Sequence, residues 1–100
     1  MIARLWCGRT PADKLEAYLD LMRTVALPDY RAIQGNLAAY VLSRNEGAVG
    51  HVWTLTLWED ERAIASFAGE PIDQAKYYDF DSEFLLDMPP KVTHFQVVDG

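Results

Sequence analysis

Apolar and polar residues alternate at the start of the chain, in the pattern of a half-buried β-strand. Residues 2–7 form the first such segment, and residues 36–44, 49–58 and 92–98 form three more. The turn sequence Asn-Glu-Gly at residues 45–47 joins the second and third segments and predicts a β-hairpin. The pattern therefore predicts four strands.

Two other segments repeat their apolar residues every three or four positions, which is the spacing of an amphipathic helix. The first is predicted over residues 11–26, with Thr10 as its N-cap and Pro28 close to its end. The second is expected to begin after Asp60, a favourable N-cap residue, and to end at Gly69. The predicted order of elements is therefore βαββαβ.

This order is that of a ferredoxin-like fold of the α+β class. A chain of 100 residues is long enough for a single domain over residues 1–100 with one core. We expect both helices on one face of a four-stranded antiparallel sheet. One self-consistent assignment places these residues beneath the helices: Ala3, Leu5, Trp53, Leu55, Leu57, Phe95 and Val97.

The same assignment gives the opposite face of the sheet a mixed but strongly aromatic surface. Its residues are Arg4, Trp6, Tyr40, Thr54, Thr56, Trp58, His94 and Gln96. Soluble monomers rarely expose apolar patches larger than roughly several hundred Å². A second copy of the sheet, related by a two-fold axis, is the simplest cover. We therefore predict a homodimer.

Composition and charge exclude several functional classes. Half of the residues are apolar and 24% are charged, which is typical of globular domains. Residues 59–100 carry ten acidic and three basic side chains, a balance that repels nucleic acids and anionic membranes. No apolar run approaches the ~18 residues of a membrane span, and Arg4 interrupts the apolar N-terminus. We expect a cytoplasmic protein without nucleic-acid or membrane partners.

Reactive and metal-binding candidates are few. Cys7, the single cysteine, falls inside a predicted strand and is interpreted as a small core residue. Residues 77–87 are predicted to be irregular or briefly helical. Their acidic side chains, from Asp79 to Asp87, lack the glycine that turns a calcium-binding loop. This segment is therefore interpreted as a solvated acidic surface, and no metal site is predicted.

Three segments resemble the antibiotic biosynthesis monooxygenase family: "IARLW" at residues 2–6, "TLTLWEDERAIASFAG" at 54–69 and "VTHFQVV" at 92–98. The resemblance extends over nearly the whole chain and implies a dimeric α+β barrel. The wider group includes cofactor-free monooxygenases, haem-degrading enzymes and members with no known activity. The haem-degrading branch has a tryptophan and a haem-ligating histidine where this chain has Phe67 and Tyr77. We therefore expect no haem.

The monooxygenase branch implies an aromatic pocket in which an electron-rich phenol reacts with O2 without a cofactor. Candidate residues for handling the proton and the charge are His94, Arg4 and Tyr78. Candidate substrate-binding walls are Trp58, Phe67, Tyr77, Trp53 and Trp6. The resemblance thus implies a cofactor-independent monooxygenase of a small aromatic or polyketide/quinone-type metabolite.

Two other functions stay open at this point. One is a non-catalytic or stress-related barrel that binds a small metabolite, and the other is a cyclase or isomerase. The candidate residues also have structural interpretations. Trp58 fills either a seam between sheet and helix or a pocket wall, and His94 is either a hydrogen-bonded residue at the dimer face or a base. Tyr77 and Tyr78 either line a pocket mouth or pack the irregular segment.

Overall fold

Four antiparallel strands form one sheet in the computed structural model, which describes residues 1–100. The strands are β1 (Ile2–Pro11), β2 (Asn36–Glu46), β3 (Val49–Trp58) and β4 (Thr93–Gln96). Their order across the sheet is β2-β3-β1-β4, and every neighbouring pair is antiparallel. The predicted four-stranded ferredoxin-like sheet is therefore confirmed.

Helical segments lie before β2 and after β3, as the βαββαβ order requires. Residues 12–32 form one helical segment made of a 3₁₀ turn (Ala12–Lys14), α1 (Leu15–Leu21), a π-helical turn (Met22–Ala26) and α2 (Leu27–Ala32). The remaining helices are α3 (Glu61–Ala68) and the short α4 (Asp81–Phe84). None of them combines the length and the apolar composition that a membrane crossing requires.

The first helical segment begins and ends later than predicted. β1 continues to Pro11, so Thr10 lies in the strand, and its hydroxyl donates to the Pro11 carbonyl oxygen (2.9 Å) instead of capping the helix. At the other end, Pro28 lies inside α2 rather than beyond a helix that ends at residue 26. Pro28 is tolerated because it occupies the first turn of α2, directly after the π-helical turn, where its missing N–H interrupts no regular α-helix.

The predictions for β3 and α3 are confirmed. β3 begins and ends at the predicted residues 49 and 58. Asp60 caps α3, because its carboxylate accepts a hydrogen bond from the backbone N–H of Ala63 (2.9 Å). Gly69 ends the helix at a φ of 79°, a left-handed conformation that favours glycine.

The helices cover the sheet face opposite to the one predicted. Arg4, Trp6, Thr54, Thr56 and Trp58 lie on the helix-covered face and are buried. Strict alternation sorts strand residues into two faces, but it does not reveal which face the helices cover. The polar members Arg4, Thr54 and Thr56 are tolerated beneath the helices because every buried polar side-chain atom has a hydrogen-bonding partner.

The other face of the sheet has no covering element, and we call it the open face. Three of its large side chains stay about half exposed: Tyr40 (53%), Leu42 (47%) and Phe95 (51%). They lie beside residues of β1 and β3, namely Ala3, Leu5, Cys7, Trp53, Leu55 and Leu57. Cys7 is exposed here, so the prediction that it belongs to the core is wrong.

Residues 70–92, which we call the strap, connect α3 to β4. The backbone N–H of Val92 donates to the carbonyl of Asp73 (2.8 Å) and closes the strap on itself. The N–H of Leu86 donates to the carbonyl of Arg9 (2.8 Å) and joins the strap to β1. Apart from α4, the strap has no helix or ladder of its own. Besides these individual bonds, eight of its apolar and aromatic residues pack against the core: Ile72, Ala75, Tyr77, Tyr78, Phe80, Phe84, Leu85 and Val92.

The acidic part of the strap is not uniformly solvated. Asp79, Glu83 and Asp87 are exposed, as predicted. Asp81, the first residue of α4, is only 2% exposed. The prediction of a solvated acidic surface is therefore wrong for Asp81, because this side chain turns inward between the helices and the strap.

Candidate functional site

A small cavity lies between the helical segment of residues 12–32, the sheet and the strap. Its aromatic walls are Trp6, Tyr18, Tyr30, Tyr77 and Tyr78. Its charged groups are Arg4, Lys76 and Asp81. The free space is about 20 Å³, which is the room for one water molecule. Aromatic walls around a few polar groups are typical of small-molecule sites.

Arg4 supplies a buried positive charge on the β1 wall. Its side chain donates from Nη1 to the carbonyl oxygen of Ile72 (2.5 Å) and from Nη2 to that of Gln74 (2.8 Å). No carboxylate lies within salt-bridge distance of the guanidinium. Burial lowers the pKa of Arg4 from its ordinary value, and the nearby Tyr30 and Asp73 oppose that shift. The cavity wall therefore carries a cation that no contacting anion neutralises.

His94 lies beside Arg4 because the two residues are paired across β1 and β4. Its Nε2 is 3.1 Å from Nη1 of Arg4. Burial first, and then the charge of Arg4, lower the pKa of His94 from its usual value. A neutral imidazole accepts the hydrogen bond that the guanidinium offers. His94 thus orients Arg4 from outside the cavity wall.

Asp81 supplies a buried carboxylate on the strap side. The Tyr18 hydroxyl of α1 donates to Oδ1 (2.8 Å), and the backbone N–H of Tyr78 donates to Oδ2 (2.6 Å). Burial raises the pKa of Asp81, and these two donors partly offset the effect. The pKa of Tyr18 is raised as well, chiefly by burial and then by the charge of Asp81.

Asp29, in α2, holds the strap side of the cavity closed. Its Oδ2 accepts from the Tyr78 hydroxyl (2.6 Å) and lies 3.2 Å from Nζ of Lys76. Burial and the hydrogen bond to Asp29 both raise the pKa of Tyr78. Tyr78 therefore stays protonated as a donor, and we call the Asp29, Lys76 and Tyr78 group the latch.

Trp6 and Tyr77 form a second link between the sheet and the strap. Trp6 Nε1 donates to the Tyr77 hydroxyl (3.2 Å), and that hydroxyl donates to the carbonyl of Pro89 (2.5 Å). The two rings meet edge to face at a centroid distance of 6.2 Å. Burial raises the pKa of Tyr77. Both side chains line the cavity.

Tyr30 places a hydroxyl at the cavity from α2. Burial raises its pKa to about 12, while a hydrogen bond with Thr54 and the charge of Arg4 act in the opposite direction. Tyr30 and Thr54 both line the cavity, and neither hydroxyl is committed to a charged partner. They are therefore candidates for hydrogen bonding to a ligand.

Trp58 and Phe67 form a layer behind the cavity. Trp58 is fully buried, and its Nε1 donates to the Thr56 hydroxyl (2.8 Å). Phe67 packs against Trp58 and against Tyr30, at ring-centroid distances of 5.5 and 4.8 Å. Nζ of Lys76 lies 4.4 Å from the centre of the Phe67 ring, in a cation–π contact. Neither Trp58 nor Phe67 reaches the free space.

Trp53 lies on the open face, away from the cavity. Its ring stacks on His51 at a centroid distance of 5.8 Å. Of the sequence candidates, the structure brings together Arg4, Trp6, Tyr77 and Tyr78 in the cavity wall, with His94, Trp58 and Phe67 behind it. Their functional roles stay predictions.

Sequence reasoning did not single out Tyr18, Tyr30, Lys76 and Asp81 as site residues. Tyr18 lies inside the first predicted helix, over residues 11–26, and Tyr30 lies beyond its predicted end. The only signal for Asp81 was its position among the aromatic residues Tyr77, Tyr78 and Phe80. No group of three or more histidine, cysteine, aspartate and glutamate side chains is arranged to hold a metal ion.

Two solved structures resemble this chain over their whole length. One is named "Putative antibiotic biosynthesis monooxygenase from Nitrosomonas europaea"; it matches with a TM-score of 0.75 and 13% identity, over 99% of this chain and 100% of that chain. The other is named "Structure of Rv0793 from Mycobacterium tuberculosis"; it matches with a TM-score of 0.60 and 16% identity, over 100% of this chain and 98% of that chain. This chain shares their fold.

The resemblance to the antibiotic biosynthesis monooxygenase family is thus confirmed at the level of the fold. No family model and no curated protein match the chain. A shared fold does not determine an activity, which depends on the residues of the site.

Proposed function

We propose that the protein is a cofactor-independent monooxygenase that oxidises a small phenolic or quinone-type metabolite in this cavity. The observation that carries the proposal is the buried Arg4 guanidinium, which lies among aromatic rings and contacts no carboxylate. A buried cation stabilises an anionic ligand more strongly than a solvated one does, because little water screens it. A phenolate or enolate is the form of such a metabolite that gives electrons to O2 most readily.

The reaction balances without a cofactor. A methylene group next to the phenolic ring loses a proton, and the electron pair passes into the ring to form an enolate. This enolate reduces O2 and forms a peroxide at the same carbon, and the peroxide loses water to leave a carbonyl group. One CH2 group and one O2 molecule thus become one C=O group and one H2O molecule, with all four electrons supplied by the substrate.

In this proposal Arg4 holds the enolate oxygen and His94 keeps the guanidinium in place. Trp6, Tyr77 and Tyr78 are the walls against which the ring packs. The fold shared with a structure that carries the monooxygenase name supports the same reaction class. Trp58 and Phe67 support the wall from behind and do not contact the substrate.

Substrate entry requires the strap to move. Ligand pockets usually have a volume of about 300 Å³ or more, whereas the free space here is about 20 Å³. The strap contributes Lys76, Tyr77, Tyr78 and Asp81 to the wall, and beyond its packing on the core it is joined to the sheet and helices by individual hydrogen bonds rather than by a ladder. Opening the latch would therefore admit a ring without unfolding the sheet.

The same small cavity favours a second candidate, a non-catalytic protein that binds a small metabolite. Most polar groups in the wall already have internal partners, as they would in a site that closes over a ligand without reacting. The two candidates differ in oxygen consumption. A binding protein would retain the ligand unchanged, whereas the monooxygenase would consume O2 and form a carbonyl product.

We also propose that two copies pair through their open faces. Tyr40, Leu42 and Phe95 are about half exposed there, and such large apolar side chains are costly to leave in water together. The pairing would leave the cavity of each copy on the outer, helix-covered side of its own sheet.

The function is tested by measuring O2 uptake with phenols that carry a reactive methylene group, in the presence of a metal chelator and without flavin. We expect uptake by the wild-type protein and the transfer of one ¹⁸O atom from ¹⁸O2 to the product. The Arg4→Gln variant should lose about 100-fold or more in rate, because the enolate loses its buried cation. Arg4→Lys keeps the charge but not the guanidinium geometry. Its rate should therefore lie between the rates of Arg4→Gln and the wild type.

The matched control is Arg44→Gln, which removes an exposed cation from β2. Arg44 pairs with Glu46 at the surface, away from the strap, so its loss should leave the rate unchanged. Melting temperatures would verify that all variants are folded. Absence of uptake with every phenol, or equal rates for Arg4→Gln and the wild type, would contradict the monooxygenase proposal.

A further inference from the structure

Asp81 is the only carboxylate among the buried side chains of the chain. It forms no salt bridge, so no contacting cation compensates its burial. Its two hydrogen bonds come from the Tyr18 hydroxyl and from the backbone N–H of Tyr78. An exposed aspartate could accept a bond from the same N–H without being removed from water. The turn at the start of α4 alone therefore does not explain why Asp81 is buried.

Asp81 and Arg4 carry opposite charges on the walls of one cavity. Tyr30 lines the same free space as both of them. A ligand in the free space beside Tyr30 would thus lie near a proton acceptor and a cation at the same time. This is the arrangement needed to remove a proton and to stabilise the anion that remains.

We propose that Asp81 is the catalytic base of this cavity and that the Tyr18 hydroxyl positions its carboxylate. The inference rests on the proposed function, since it assigns the proton transfer that precedes the reaction with O2. A C–H bond of the substrate methylene breaks, its proton moves to a carboxylate oxygen of Asp81, and its electron pair passes into the ring. The resulting enolate oxygen is held by Arg4, and no oxidant is required for this step.

The surroundings of Asp81 favour proton acceptance. Burial raises its pKa, so the ionised carboxylate is a stronger base than that of a surface aspartate. The ionisable groups that line the cavity with it are Tyr18 from α1, Tyr30 from α2, Arg4 from β1, and Lys76, Tyr77 and Tyr78 from the strap. Tyr18, Tyr30, Tyr77 and Tyr78 all have raised pKa values and stay neutral, which leaves Asp81 as the acceptor on this wall.

The test separates proton transfer from oxygenation. Anthrone and the smaller ketone 2-indanone are incubated with the protein in D2O without oxygen, and exchange of their methylene hydrogens is followed by NMR. We expect the wild-type protein to accelerate exchange and Asp81→Asn to be about 100-fold or more slower. Asparagine keeps the shape of the side chain and still accepts a hydrogen bond. The matched control is Asp79→Asn, an exposed neighbour whose loss should leave exchange unchanged.

The pH profile distinguishes a base from a purely structural residue. The exchange rate of the wild type should rise with pH as Asp81 loses its proton, and Asp81→Asn should lack this rise. In Tyr18→Phe the rise should move to higher pH, because the Tyr18 hydroxyl bond lowers the pKa of Asp81. If Asp81→Asn fails to fold, Tyr18→Phe and Asp81→Glu, which keeps a carboxylate, provide the same test through their pH profiles.

Exchange that is retained in Asp79→Asn and lost in Asp81→Asn supports the inference. Equal exchange by Asp81→Asn and the wild type, or no exchange by the wild type with either ketone, overturns it. A wild-type protein that exchanges the ketone hydrogens but consumes no O2 would overturn the monooxygenase proposal while leaving the base assignment intact.

Discussion

Trp58 is a single side chain that joins the end of β3 to α3. It is fully buried, donates to the Thr56 hydroxyl and packs against Phe67. Phe67 in turn contacts Tyr30, whose hydroxyl lies at the cavity. Trp58 therefore fills the seam between sheet and helix and acts on the cavity only through its neighbours.

Replacing Trp58 by phenylalanine should reduce stability more than activity. The variant leaves a small void and removes the indole hydrogen bond, which together cost about 2 kcal/mol of the free energy of unfolding. Urea denaturation would measure this loss, and O2 uptake of the folded variant should stay close to that of the wild type. Trp6→Phe is the contrasting variant, because Trp6 lines the cavity and its loss should lower activity. A stable but inactive Trp58→Phe protein would show instead that Trp58 is part of the binding surface.

Sequence analysis finds the site residues whose side-chain type by itself suggests binding of a proton or a charge. Arg4 and Tyr78 were candidates for managing charge, and both line the cavity. Asp81 looked like its exposed neighbours because an acidic run has no period that marks one member as buried. Its burial depends on contacts with Tyr18, 63 residues away, and no local pattern records such a distance.

Among the strands and helices, the sequence predicts best the boundaries that local interactions determine. The boundaries of β3 and α3 depend on alternation, on the Asp60 cap and on Gly69, all of which act within a few residues. The covered face of the sheet was assigned wrongly because it depends on where distant helices pack. A bulge between Asn36 and Ala38 adds to this difficulty, since it changes which β2 residues point towards the helices.

The strap is the element that controls access to the cavity. Arg4 holds its first half through the carbonyls of Ile72 and Gln74, and the Asp29 latch holds its middle through Lys76 and Tyr78. Segments without a hydrogen-bonded ladder open locally at a smaller free-energy cost than the central strands of a sheet. The strap should therefore open while β1 and β3 remain paired.

Asp29→Asn should loosen the strap. The substitution removes the charge that attracts Lys76 and weakens the bond from Tyr78, so we expect roughly tenfold faster hydrogen exchange of strap amides. Hydrogen–deuterium exchange resolved by peptide would show the change over residues 70–92 and no change in β3. Asp20→Asn is the matched control, because Asp20 pairs with Arg23 at the surface of the helical segment. Unchanged exchange of the strap in Asp29→Asn would contradict the role of the latch.

The two faces of the sheet differ in what covers them. The helix-covered face is satisfied within one chain, since the core and the cavity lie there. The open face presents Leu5, Leu55 and Tyr40 side by side across the centre of the sheet, with no element of the same chain above them. The uncovered residues are mainly aliphatic and aromatic, which favours pairing of two copies through this face.

If two copies pair in this way, light scattering at micromolar concentration should give a particle of twice the 11.3 kDa chain mass. Leu55→Asp should convert it to a monomer, because a two-fold axis would bring two buried, unpaired carboxylates into one interface. Val25→Asp is the matched control: Val25 is an exposed apolar residue on the helical segment, and its substitution should leave the dimer intact. If Leu55→Asp does not fold, Leu42→Asp tests the same face nearer its β2 edge. A wild-type protein of single-chain mass, or Leu55→Asp and Leu42→Asp variants that stay dimeric, would show that the open face is not the contact between copies.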